Sequence, residues 1–306
     1  MSTYPDVKRE GTLTTEEVHR FLSAPALVSR RMQALTDLSF VSDYLLRGSA
    51  DATGTGSIMV EEDGPLFVDS NPEVIAPGGE YPLITADDVA AALLATRKTG
   101  FDSEVTDEKI ARTPRDTLTK LLTRMANTMI KDFDSFSIGI ISSKVTQTYV
   151  GGAWTTGAKI VEDVLSASAK VEELELGYAP NAVVLKPTQY AKASAFLIGA
   201  GFLPRESGNP LLTGARSFDY LGLTWVKSMY SPFGDPFVVD AENLGGIASE
   251  NIGSPGYART ENGVEVKTWR PAGRDDNDSW RVRTRRVAVP YVTSPLAGLR
   301  ITGTGL

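Results

Sequence analysis

Residues 180–192 read Pro-Asn-Ala-Val-Val-Leu-Lys-Pro-Thr-Gln-Tyr-Ala-Lys, which places a short apolar run just before a proline. The run from Ala182 to Leu185 has the length and composition of a strand that is buried on both faces. Pro187 suits the first turn of a helix, because its φ is already helical and its missing N–H has no partner there. The stretch therefore predicts a buried strand that turns directly into a helix reaching Phe196.

The segments around this stretch continue the alternation of helix and strand. Upstream, the spacing of Ile160, Val164 and their neighbours predicts a helix that begins near Gly157. Downstream, the short apolar runs 223–226 and 237–239 predict two further strands within a region rich in loops. We interpret this region, from Gly157 onward, as a separate α/β subdomain.

A long amphipathic helix is predicted before this subdomain. It begins at Thr113, with Pro114 at its first position, and no glycine or proline follows until Gly139. The helix is therefore predicted over residues 113–138, about 25 residues or roughly 37 Å. Its apolar residues recur every three or four positions, which indicates packing rather than a cofactor site. These residues are Leu118, Leu121, Leu122, Met125, Met129, Phe133 and Phe136.

Two strands are predicted near the C-terminus, Val264 to Trp269 and Trp280 to Val292. The acidic turn between them lacks the glycine of a calcium-binding EF-hand loop and has Arg286 where the loop glutamate belongs. A solvated turn explains it better than a calcium site.

The N-terminal 50 residues read as an arm with short helices. Thr14 and Glu17 form a capping-box pattern that opens a helix, and Pro25 interrupts it. His19, on this helix, is expected to be a partly exposed residue without a catalytic role. Residues 51–84 place short apolar runs between glycines and prolines, which indicates either disorder or a functional extension.

The composition excludes several classes of chemistry. The 306 residues include no cysteine and one histidine, so disulfides, thiolate nucleophiles and cysteine-bearing zinc sites are excluded. The sequence contains no Walker A motif, dinucleotide fingerprint or Gly-x-Ser-x-Gly elbow. We therefore expect neither a cofactor nor a metal, although paired carboxylates would still permit hydrolysis. No apolar run approaches the roughly 20 residues that span a bilayer, and no secretory signal is evident.

Charge is unevenly distributed along the chain. Residues 51–108 carry thirteen acids and two bases, a net charge of −11, whereas residues 267–300 carry eight bases and three acids, a net charge of +5. Such segregation suggests surfaces that meet, within one chain or between copies, although two solvated faces that never touch remain an alternative. Arg281, Arg283 and Arg285 alternate along one strand face, where pairing with carboxylates is favoured over specific nucleic-acid recognition.

In their order, these elements resemble the major capsid proteins of tailed double-stranded DNA bacteriophages, the Hong Kong 97-like family. Residues 180–192 resemble the strand and helix of the family's axial domain, 221–226 and 237–240 its next strands, and 281–290 its closing strand. The resemblance implies an α+β fold with four parts. These are an N-terminal arm (1–50), an extended loop (51–108), a peripheral domain (109–144 and 256–306) with the long helix 113–138 as its spine, and an axial domain (145–255).

This resemblance also implies a function. The chain is expected to assemble itself into hexamers and pentamers of an icosahedral head that encloses DNA, with the loop 58–98 lying over a neighbouring subunit. Residues 89–96 look helical by propensity, but in the family the loop returns as a strand, which we therefore prefer. Some members cross-link this loop through a Lys–Asn bond, yet residues 51–96 contain no lysine, so a non-covalent shell is expected.

The implied partners are other copies of the chain and packaged DNA contacted without sequence specificity, with separate scaffolding, portal and decoration proteins left open. A scaffold, if used, is expected to be a separate protein, because the region before the loop is too short for a fused one. We expect synthesis in the host cytoplasm, a place in the virion and no membrane contact. An encapsulin shell enclosing protein cargo is the alternative, and a carboxylate-dependent hydrolase a remote one. The candidate intersubunit residues are Glu61, Glu62, Asp63, Asp69, Glu73, Glu80, Arg281, Arg283, Arg285 and Arg286.

Overall fold

The predicted long helix crosses the middle of the computed structural model, which describes residues 14–36, 40–62, 75, 91–201, 217–229, 234–271 and 278–305. The helices are α1 (Thr15–Leu22), α2 (Pro25–Thr36), α3 (Val41–Leu45), α4 (Asp107–Arg112), α5 (Pro114–Lys144), α6 (Gly157–Glu172) and α7 (Pro187–Gly199), with a 3₁₀ turn at Pro295–Ala297. The strands are β1 (Gly48–Asp51), β2 (Ser57–Glu61), β3 (Ala91–Ala95), β4 (Arg97–Thr106), β5 (Thr148–Val150), β6 (Ala182–Leu185), β7 (Ser217–Tyr220), β8 (Leu223–Lys227), β9 (Phe237–Val239), β10 (Gly245–Ser249), β11 (Ala258–Arg259), β12 (Val264–Trp269), β13 (Ser279–Val292) and β14 (Gly298–Thr302).

One sheet is built around the long strand β13, and we call it the β13 sheet. Its order is β1-β10-β13-β12-β11, and β4 pairs with β13 in antiparallel register. Helices α1, α2, α4 and the first half of α5 cover one face of this sheet through a shared apolar core. Side chains on β13 alternate between that core and the opposite face, so Val282 is buried under the helices while Arg281 and Arg283 point away from them.

The second sheet contains the strand that opened the sequence analysis, and we call it the β6 sheet. Its order is β5-β14-β9-β6-β8-β7, with α6 and α7 packed against it. The strand predicted at Ala182–Leu185 is confirmed and is buried along its whole length. The helix predicted to start at Pro187 is also confirmed, as is the strand Phe237–Val239 beside it.

Helix α5 is longer than predicted, since it runs for 31 residues and ends at Lys144 rather than at residue 138. Gly139 lies inside it instead of ending it. A helical glycine costs about 1 kcal/mol relative to alanine, whereas burial of Ile138 and Ile141, 2% and 1% exposed, offsets more than that. Packing beyond the glycine therefore overrides the local preference to stop.

Residues 91–95 form strand β3, which confirms the strand that the resemblance implied and shows that helix propensity was misleading there. The strand pairs with β2 in an antiparallel ribbon from Ser57↔Ala95 to Glu61↔Ala91. Residues 89 and 90 lie outside the described residues. Alanine and leucine favour a helix only weakly, so strand pairing decides the conformation.

The N-terminal arm contains the predicted capping box. The Thr14 amide donates to Glu17 Oε2 at 2.9 Å, and the Glu17 amide donates to Thr14 Oγ1 at 3.3 Å. Pro25, which was expected to interrupt the helix, also starts α2. His19 is half-buried, and its Nδ1 accepts a 3.0 Å hydrogen bond from Trp280 Nε1, which fits a structural role.

Candidate intersubunit surface

The exposed face of the β13 sheet carries a charge pair between the two oppositely charged segments. Arg283 lies opposite Asp102 of β4, and its Nε and Nη2 donate to the two carboxylate oxygens at 2.5 and 2.6 Å. Hydrogen bonding from Arg283 lowers the pKa of Asp102 below its ordinary value. The predicted pairing of the arginine strand with carboxylates is confirmed for this residue, and it occurs within one chain.

Arg285 sits deeper on the same face. Its Nε donates to Glu265 Oε2 at 2.6 Å, and both side chains are about 5% exposed or less. The guanidinium lies over the Tyr257 ring, 3.7 Å from its centroid. Gly100 of β4 lies opposite, and a Cβ there would approach Thr284 O to 2.6 Å, so glycine permits this close strand pairing.

The Arg286 side chain lies on the face of the β13 sheet that the helices cover, and it contacts the N-terminal arm. Its Nη2 lies 3.0 Å from Asp43 Oδ1 on α3, and its guanidinium carbon lies 4.6 and 3.6 Å from the ring centroids of Phe40 and Phe133. A buried carboxylate of α5, Asp134, accepts hydrogen bonds from the start of the same helix α3. Arg286 therefore joins the N-terminal arm to the body of its own chain.

The four candidate arginines thus divide into two groups. Arg285 and Arg286 are each about 5% exposed and form ion pairs within the chain, and contact of either with a neighbour stays a prediction. Arg281 and Arg283 are half-buried on the exposed sheet face. Arg281 lies opposite Glu104 but makes no ion pair with any described residue. A neighbour contact stays a prediction for this second pair.

The β2–β3 ribbon presents an apolar face that the sequence analysis did not single out. Met59 and Leu93 lie directly opposite each other and are 70% and 71% exposed. Val60, which points to the other side of the ribbon, is buried. Ile58, Met59 and Val60 are all apolar, so the sequence carries no signal for which side is exposed, and only strand pairing places Met59 beside Leu93.

Both ends of the ribbon are attached to helix α5. Arg97 follows β3, lies 3.5 Å from Asp132, and stacks over the Phe136 ring at 4.6 Å. Glu62 follows β2 and forms an ion pair with Lys144 at the end of α5. These contacts hold the ribbon along the second half of the helix, with the Met59–Leu93 face exposed.

A family model for phage capsid proteins matches residues 90–301, more than two thirds of the chain. The chain belongs to the phage capsid protein family. The match spans α5, the β13 sheet apart from β1, nearly all of the β6 sheet and the arginines of β13. A comparison with curated protein sequences found no match.

Several solved structures share the fold of this capsid protein at low sequence identity. The capsid of cyanophage P-SCSP1u matches with a TM-score of 0.58 and 12% identity over 87% of this chain and 89% of that one. Microbacterium phage Oxtober96 matches with a TM-score of 0.57 and 14% identity over 86% and 91%. A virus-like particle from Pyrococcus furiosus matches with a TM-score of 0.54 and 11% identity over 89% and 98%. At these identities the likeness shows the fold alone.

Family and fold together identify a major capsid protein with the Hong Kong 97-like fold, as the resemblance implied. The encapsulin alternative is not favoured, because the matching family is that of phage capsids. The same findings point to a structural protein rather than the remote hydrolase. Among the described residues, no three histidine or acidic side chains gather as a metal site, and no helix is long and apolar enough to cross a membrane.

The acidic candidates of the capsid protein are only partly described. Glu61 is exposed at the end of the ribbon, and Glu62 is half-buried in its pair with Lys144. Asp63, Asp69, Glu73 and Glu80 lie outside the described residues. Their contact with a neighbour stays a prediction.

Proposed function

We propose that this capsid protein assembles as hexamers and pentamers into an icosahedral head that encloses double-stranded DNA. The ribbon and the acidic segment beyond it would lie over a neighbouring subunit, and the shell would be held without covalent cross-links. The observation that carries this proposal is the exposed Met59–Leu93 face of the ribbon. A shell of many identical contacts gives that face a partner on every subunit.

The apolar ribbon face supports a contact between copies on energetic grounds. A two-stranded ribbon is marginally stable alone, and covering a large apolar side chain contributes about 1.5–3 kcal/mol at most. Met59 and Leu93 would together supply a few kcal/mol per neighbour contact, less the entropy of ordering them. Such weak contacts hold a shell because every subunit makes them at once.

Charge supports the same arrangement. An open cleft of about 410 Å³ on the exposed face of the β13 sheet is lined by Lys98, Asp102, Tyr257, Arg283 and others. Lys98 is exposed and makes no ion pair with a described residue. This cleft and the nearby Arg281 are suited to carboxylates of a neighbouring copy. The proposed donors are Glu61, Asp63, Asp69, Glu73 and Glu80.

The remaining parts of the proposal concern partners and location. Residues 51–96 contain no lysine, and this absence supports a shell without Lys–Asn links from the loop. Scaffolding, portal and decoration proteins, if the head uses them, would be separate proteins, and the purified subunit would still form shells by itself. The subunit would be synthesised in the host cytoplasm and end in the virion capsid, without enzymatic activity of its own.

Electron microscopy of purified protein tests the proposal. Wild-type protein should form closed shells tens of nanometres across, and Met59→Glu with Leu93→Glu should leave folded subunits that form none. The matched control exchanges the two side chains, Met59→Leu with Leu93→Met, and should still assemble because the face stays apolar. Only small particles from the wild type, or normal shells from the glutamate variant, would contradict the proposal.

A further inference from the structure

Two adjacent helices of this acidic protein carry basic residues along stretches that contain no acid. Helix α2, residues 25–36, contains two arginines and no acid, and residues 117–131 of α5 contain three bases and no acid. The whole chain has a net charge of −7, so this segregation is unusual for it. We call these five residues the basic helical face: Arg30, Arg31, Lys120, Arg124 and Lys131.

The fold brings these charges onto one side of the molecule. Val28 and Met32 of α2 pack with Leu118, Leu122 and Met125 of α5 in the core over the β13 sheet. Arg30 and the three bases of α5 lie on the opposite sides of the same helices and are exposed, whereas Arg31 flanks the packed face of α2 and is half-buried. Lys120, Arg124 and Lys131 recur at helical spacing and so form one stripe along α5.

Four of the five residues of this face lack an ion pair with any described residue. Arg30, Arg31, Arg124 and Lys131 form no ion pair in the part of the chain that the structure describes. Asp132, the next acid along α5, is paired with Arg97 instead. Within the described residues, Arg30, Arg124 and Lys131 are exposed and Arg31 is half-buried, and none of the four has a carboxylate partner. This arrangement is suited to a polyanion from outside the chain.

We propose that the basic helical face contacts the phosphate backbone of packaged double-stranded DNA and therefore lines the interior of the shell. This inference rests on the proposed function, because that function supplies the enclosed DNA. The stripe from Lys120 to Lys131 spans about 16 Å of helix, which equals about five base pairs of B-DNA. Helices that pack side by side lie about 8–10 Å apart, so α2 and α5 can approach phosphates on both sides of one groove.

The chemistry of the face fits contact without sequence specificity. Arginine and lysine pair with phosphate, and exposed Asn127 and Thr128 lie among them as additional polar groups. Proteins that bind single-stranded nucleic acid stack the bases on aromatic side chains. The exposed α5 stripe, from Lys120 to Lys131, carries no aromatic residue. Arg281 and Arg283, the proposed contacts of a neighbour's acidic loop, lie on the opposite side of the β13 sheet. The acidic loop and the DNA would therefore contact different sides of the subunit.

Duplex binding by unassembled full-length subunits tests the inference. Fluorescence anisotropy with a 30-base-pair duplex is measured over a range of KCl concentrations for the wild type and for Arg124→Gln with Lys131→Gln. Each lost phosphate contact should reduce the slope of log K against log salt by about 0.9, so the pair should reduce it by about 1.8. If the lines converge at 1 M salt, affinity at 0.1 M falls about 60-fold.

The matched control is Lys170→Gln with Lys192→Gln, which removes the same charge from α6 and α7 of the β6 sheet. Its slope should equal that of the wild type. Equal slopes for both variants would overturn the DNA contact, as would a helical-face variant that loses binding of polyglutamate but keeps duplex binding. Binding of added duplex to the outside of closed shells through this face would overturn its interior position.

Shell formation by the same proteins is scored separately by electron microscopy. Closed shells from the glutamine variant, together with its reduced salt slope, support the inference. If the wild type forms no shells at all, the proposed function fails whatever the duplex measurements give.

Discussion

Substitution of Asp43 by alanine should show how the N-terminal arm is held to the body of the subunit. Arg286 is 5% exposed, and Asp43 is its ion-pair partner. Its Nε and Nη1 already make no hydrogen bond within the described part of the chain. Removing the carboxylate would therefore leave a buried guanidinium supported only by the rings of Phe40 and Phe133.

The expected cost follows from the burial of the two partners. Breaking a buried ion pair by removing one partner costs about 3–5 kcal/mol, because the other charge stays desolvated. The Asp43 side chain is 31% exposed, so water can reach the site and the lower figure, about 3 kcal/mol, applies. Adding Arg286→Met removes the orphaned charge and leaves a flexible apolar side chain against the rings. The double variant should therefore recover most of the loss.

Urea unfolding of unassembled subunits, followed by tryptophan fluorescence, measures these changes. With a slope of about 3 kcal/mol per molar, Asp43→Ala should lower the midpoint by about 1 M. The control is Glu242→Ala, which removes an exposed pair with Arg47 and should cost less than about 1 kcal/mol. A double variant no more stable than Asp43→Ala would refute the argument that an uncompensated buried charge is the source of the loss.

Three further predictions concern single residues. Gly100→Ala should destabilise the subunit by about 1–3 kcal/mol and lower its thermal unfolding midpoint, because the new Cβ would lie 2.6 Å from a strand carbonyl oxygen. Gly139→Ala places a Cβ with nothing within 4 Å and should raise the midpoint. A higher midpoint for Gly100→Ala than for Gly139→Ala would contradict the steric argument. Thr14→Ala should cost about 1 kcal/mol locally and speed hydrogen exchange of the first-turn amides of α1, and unchanged exchange would count against the cap. Burial raises the pKa of Asp134, so the stability that its protonated form contributes is present at low pH and is lost as the pH rises through that pKa. The free energy of unfolding of the wild type should therefore fall relative to that of Asp134→Asn between about pH 4 and pH 7, and parallel curves would refute this.

Local sequence predicted the secondary structure correctly where the residue types permit few backbone conformations. The strand Ala182–Leu185 and the helix starting at Pro187 were predicted with their observed bounds at the junction, because a buried apolar run and a proline each permit few conformations. The same holds for the capping box at Thr14, whose two hydrogen bonds join residues three positions apart.

Local sequence failed where distant contacts decide. Gly139 did not end α5, because packing of residues far along the chain outweighs its weak local preference. The ion-pair partners of the arginines could not be predicted from the sequence either, because strand register and the N-terminal arm bring Asp102, Glu265 and Asp43 to β13. Charge counting predicted that opposite segments would meet, but it does not distinguish a contact within a chain from one between chains.

Some acids of the segment with net charge −11 are paired within the subunit, which reduces the number left for contact with a neighbour. Strand β4 brings Asp102 into the β13 sheet, where it is paired with Arg283, and Asp107 is paired with Arg270 close by. These acids of the −11 segment are thus satisfied within the subunit. Residues 63–90 still carry six acids and no base, so a neighbour would meet a charge of −6 from that part alone. The buried arginines of β13 are paired inside the subunit. We therefore expect complementarity between copies to depend on few exposed cations, with the apolar ribbon face supplying much of the contact energy.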